Sequence, residues 1–149
     1  MTGQPNYPGF LVFDVTNLEI DEPQPPIELT EEILDLTEPF SLTVTFRGTG
    51  MFWNALVNMF DPQYEACFYL EGRGQQAAES DLGCATGNVA AASVGGGNYE
   101  ATHQVNGIQQ KGLYKVGVTV EFPGLWGLLG HYDDLMIQVS RHESPTPPN

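Results

Sequence analysis

The side chains that could carry chemistry are few and scattered in this 149-residue chain. His131 stands beside Asp133 and Asp134, the residue types of a carboxylate-plus-imidazole metal site and hence of a metal-dependent hydrolase. One imidazole and two adjacent acids make no recognisable ligand spacing. His103 falls within a strand-like segment and reads as a structural histidine; His142 lies in the tail. Cys67 and Cys84 come without a CxxC or HxxxH companion, so they carry no zinc signature. A catalytic thiolate needs electropositive surroundings, and only five Lys and Arg are present to supply them. No Gly-x-Ser-x-Gly elbow and no phosphate loop occur, and the run Gly95 to Gly97 lacks the following Lys and helix. The sequence therefore points away from an enzyme. It assigns no catalytic residue, no metal ligand and no cofactor.

Charge excludes further classes. Nineteen acids against five bases give a formal charge of -14. Nucleic-acid binding needs Lys and Arg to release counterions from phosphate, and docking on an anionic membrane needs them too. The first 46 residues hold nine acids and no Lys or Arg, so the charge divides into -9 and -5. That acidic segment serves solubility, and it would also steer a basic partner. No window is long and apolar enough for a transmembrane helix, and Met1 to Phe10 shows no secretory n-region. The expected compartment is then cytoplasmic by default, with two free thiols; a disulfide between neighbouring strands is the alternative.

The elements that must position these groups read as strands. At 41% hydrophobic the chain can bury a core. Phe40 to Arg47 alternates, with Phe40, Leu42, Val44 and Phe46 on one face. Tyr64 to Glu71 repeats this, turning Tyr64, Ala66, Phe68 and Leu70 inward and Cys67 outward with Glu65 and Tyr69. Tyr99 to Val105, Gly112 to Phe122 and Leu135 to Ser140 supply three more strands, and short ones are expected near Asp81 to Cys84 and Asn88 to Ser93. The organisation predicted is an acidic, Pro-rich arm over residues 1–39, an all-β sandwich over 40–141 and a flexible tail over 142–149. Within the arm, Thr30 is expected to cap a short helical turn at Glu31 to Asp35.

The stretch Gly112-Leu113-Tyr114-Lys115-Val116 resembles the start of strand F in immunoglobulin-like and fibronectin-III-like sandwiches. The resemblance implies a tyrosine corner at Tyr114, with its hydroxyl bonded to backbone upstream. Val116 stands where antibody domains carry a cysteine, so the antibody disulfide is absent. On this resemblance 40–47, 64–71, 99–105, 112–122 and 135–140 are strands B, C, E, F and G.

It also implies that the B–C and F–G connections emerge at one end, and both are unusually apolar. The first is Met51-Phe52-Trp53-Asn54-Ala55-Leu56-Val57-Asn58-Met59-Phe60; the second runs from Pro123 through Leu125, Trp126, Leu128 and Leu129 to Tyr132. Phe52, Leu56 and Phe60 have helical spacing, so a short helix could lid the sandwich. The functional alternative is an exposed contact tip of Phe52, Trp53, Leu125, Trp126, Leu128, Leu129 and Tyr132. The arm's apolar segment, through Phe10, Val12, Val15 and Leu18, either folds back as the sandwich's own strand or adds to the sheet edge of another molecule. The function expected is a non-catalytic protein-binding or self-assembly module whose partner is another protein or itself. A carbohydrate-binding module using the loop aromatics is the alternative.

Overall fold

The computed structural model describes residues 6–7, 9–21, 32–35, 37–73, 79–124 and 129–140. Among these described residues ten strands and one α-helix follow in chain order: β1 (Asn6–Tyr7), β2 (Leu11–Asp21), β3 (Glu32–Asp35), β4 (Phe40–Thr49), α1 (Met51–Phe60), β5 (Gln63–Arg73), β6 (Ser80–Asn88), β7 (Ser93–Gly95), β8 (Asn98–Val105), β9 (Gly112–Glu121) and β10 (Leu129–Ser140). A single turn of 3-10 helix, Ala90–Ala92, precedes β7. The strands form two five-stranded sheets, ordered β1-β2-β4-β8-β7 and β3-β10-β9-β5-β6. All pairings are antiparallel except β3 with β10. This is an all-β sandwich.

Period-two alternation makes it so. Phe40, Leu42, Val44 and Phe46 of β4 face Tyr64, Ala66, Phe68 and Leu70 of β5 and Tyr114, Val116, Val118 and Val120 of β9, and all are buried. No charged or polar side chain is buried among the described residues. Tyr114 forms the expected corner, its hydroxyl donating to the Gln110 carbonyl at 2.7 Å. This bond ties the turn before β9 to that strand and fixes where β9 enters the sheet.

The described N-terminal strands β1, β2 and β3 are part of the sandwich. β2 pairs with β4 from Val12 opposite Thr49 to Asp21 opposite Ser41, and with β1 on its other side. Leu11, Phe13, Val15 and Leu18 are buried in the common core. Leu11 to Leu18, with Val12, Val15 and Leu18 of the expected strand-addition set, therefore pairs within this chain's own sheet, while Phe10 lies in the turn before it. Burial decides the choice: four apolar side chains find a core within reach of the chain. The helical turn expected at Glu31 to Asp35 is likewise replaced, over the described Glu32–Asp35, by β3 with Leu34 buried. A helix of one turn does not recover its nucleation cost, whereas a strand here extends an existing ladder.

The cysteines are bonded, which corrects the expectation of free thiols. Cys67 of β5 and Cys84 of β6 are register partners, with Cα atoms 4.0 Å apart.

Candidate interaction surface

The B–C connection is the helix α1, and Trp53 sets how it sits. Its indole is fully buried and donates to the Tyr99 hydroxyl at 2.9 Å. It stacks on Phe13, with ring centres 5.8 Å apart, and meets Phe122 edge-on at 5.7 Å. Phe46 joins the cluster, stacked on Tyr99 at 5.4 Å. Gly48 leaves the slot for the indole, since a Cβ built there would overlap the Trp53 ring. Trp53 is thus a core residue, which removes it from the expected contact tip. The lost platform also weakens the carbohydrate reading, because a ring inside the core cannot stack on a sugar.

Both helix ends are tied down. Gly9 and Phe10 carbonyls accept from the Met51 and Phe52 N–H groups at 3.2 and 2.8 Å, satisfying donors that a helix start leaves open. At the other end Asp61 takes a left-handed conformation, φ 42°. Its carboxylate accepts from the Asn88 amide and the Ala90 N–H, each at 3.0 Å, and these bonds hold it below the usual carboxylate range. The helix is a fixed platform.

Its core-facing residues are Trp53 and Leu56, with Val57 partly buried. The sequence suggested Phe52, Leu56 and Phe60 as the inward stripe. Only Leu56 of these is inward, because the Trp53 insertion rotates the helix. The solvent side instead carries Met51 (70% exposed), Phe52 (41%) and Met59 (73%), with Phe60 (71%) at the C-terminal end. Phe10 is half exposed and stacks on Phe52, ring centres 5.2 Å apart. Neither Met51–Phe60 nor Gly50 before it bears a charge. Phe10 thus joins the surface through its ring, a role that sequence spacing gave no sign of.

On the F–G side, Leu129 is 45% exposed and Tyr132 is partly buried. Leu125, Trp126 and Leu128 lie outside the described residues. The other sequence candidates are held elsewhere. His103 stacks on Phe68 with its ring nitrogen 2.8 Å from the Leu82 carbonyl oxygen, bridging the two sheets. Asp133 pairs with Lys115 at 3.3 Å. His142 lies outside the described residues. Among the described residues, the carboxylate of Glu65 and the sulfurs of Cys67 and Cys84 lie within 4.8 Å of one another, with both sulfurs tied up in the disulfide.

No family model matches the chain, and no curated protein matches it. A solved structure similar to it is a beta-glucosidase from Listeria innocua in complex with gluconolactone, at a TM-score of 0.43 and 12% identity. The match covers 92% of this chain but only 17% of the glucosidase chain. Likeness at that level transfers nothing from the enzyme to this protein. No helix among the described residues is long and apolar enough to cross a membrane.

Proposed function

We propose that this chain is a non-catalytic structural module that associates with a second copy of itself through the outer face of α1. The observation that carries the reading is a rigidly held, uncharged helix with apolar side chains on its solvent side as well as its core side. Asn54 and Asn58 are the polar residues of this exposed side, and Met51, Phe52 and Met59 stand among them as exposed large apolar side chains. Phe10, Met51, Phe52 and Met59 supply the exposed apolar side chains on this side, where a standard interface buries ~800 Å² per partner.

The face is also self-complementary. Ala55 stands midway between Met51 and Met59 on the exposed side. A two-fold axis through Ala55 would set Met51 of one copy against Met59 of the other, while the small central residue lets the helices approach. Methionine side chains adapt to such a contact without exact complementarity. An uncharged patch on a protein of charge -14 suits a neutral, identical patch better than a charged partner.

The test is light-scattering mass across concentration. The full chain is expected to rise from monomer toward dimer. Met51→Asp combined with Met59→Asp is expected to stay monomeric with its melting temperature held, since both side chains are exposed. A wild-type chain that is monomeric throughout, or a double variant that still associates, overturns the reading.

A further inference from the structure

The outer face of the β3-β10-β9-β5-β6 sheet carries an arrangement that the interaction surface does not use. Cys67 and Cys84 are register partners on β5 and β6. Glu65, two residues before Cys67, projects from the same face of β5. Its carboxylate and both sulfurs lie within 4.8 Å of one another, with Glu65 and Cys67 partly buried and Cys84 exposed. On the other side of β5, Glu65 is the register partner of Glu121 on β9. Like charges directly opposite in a ladder are destabilising. A bound cation beside Glu65 would offset such repulsion.

We propose that, once the Cys67–Cys84 disulfide is reduced, Cys67, Cys84 and Glu65 hold a thiophilic divalent cation of the zinc type, with Glu121 adding negative charge beside it. The donors fit the ion. Zinc takes four tetrahedral ligands from thiolate, imidazole and carboxylate, leaving here one position for water. The backbone fixes the donors in advance: β5 is held by β9 on one side and β6 on the other.

The chemistry balances with a dithiol reductant. One of its thiolates attacks the exposed Cys84 sulfur, the S–S bond breaks and Cys67 leaves as thiolate. The second thiol then displaces Cys84 from the mixed disulfide. Two electrons and two protons pass to the protein, and the reductant leaves as its own disulfide. The metal ion then binds with loss of both thiol protons. The oxidised chain lacks these two donors, so metal binding and the disulfide exclude each other.

The experiment reduces the full chain with a non-thiol phosphine, removes the reductant without oxygen, and titrates Co²⁺. Expected is a sulfur-to-cobalt charge-transfer absorption that saturates at one equivalent and is bleached by Zn²⁺. It is expected to be absent from the oxidised chain and from Cys67→Ser with Cys84→Ser. Glu65→Gln should keep the absorption but weaken binding on the order of tenfold. Circular dichroism of the reduced chain is recorded alongside. No absorption from a reduced, folded chain overturns the proposal. Equal Co²⁺ binding by the double serine variant, or loss of the sheet on reduction, does so too.

Discussion

Gly48 and Trp53 act as one unit: the missing side chain on β4 is the space the indole occupies. Gly48→Ala should therefore cost about 1–3 kcal/mol through overpacking, seen as a lower denaturant midpoint with unchanged slope. A variant as stable as wild type would mean that the ring relocates without cost. The tyrosines give a pH signature. Burial pushes the phenols of Tyr64 and Tyr114 above their ordinary 10.0. Burial, then the carboxylates of Asp133 and Glu71, does the same for Tyr69. A folded pKa above the unfolded one gives stability that is complete below the unfolded value and lost as pH rises through the folded one. Unfolding midpoints should hold up to about pH 9 and fall by about pH 11. A flat profile across that window would contradict these environments.

At the scale of elements, β2 decides whether the sandwich exists. Its four buried apolar side chains contribute about 1.5–3 kcal/mol each, a total comparable to the ~5–15 kcal/mol stability of a whole domain. A chain starting at Pro39 should therefore show no cooperative thermal transition by circular dichroism. A folded, cooperative product would show that β2 is dispensable. The strands from Phe40 onward were legible because alternation is a local signal: each residue declares its face through its neighbour two positions away. β3 was not legible. Its pairing with β10 joins residues about a hundred positions apart, and nothing within Glu32–Asp35 announces it. The inward face of α1 was hidden for a different reason. With Asn54 and Asn58 its only polar residues, apolar spacing cannot say which way the helix turns.

For the whole molecule, charge and apolar contact oppose one another. Each copy carries -14, while the proposed contact is uncharged. Repulsion between copies reaches ~30 Å at 0.01 M salt but only ~10 Å at 0.1 M. Association should therefore strengthen with added salt, on the order of tenfold between those conditions, as read by the concentration at half-dimer in light scattering. Association that weakens with salt would point to a contact made by ion pairs and not by α1.

The sandwich, the inward residues of β4, β5 and β9, the tyrosine corner at Tyr114 and the scarcity of basic residues to meet phosphate are legible in the chain alone. Each of these is written in residue type and short spacing. Long-range packing makes Trp53 core and leaves Met51 and Met59 on the surface, places β2 in this chain's own sheet, and brings Cys67 to Cys84. Those outcomes depend on which distant strands become neighbours, and that is set by the packing of the whole core and not by any one segment.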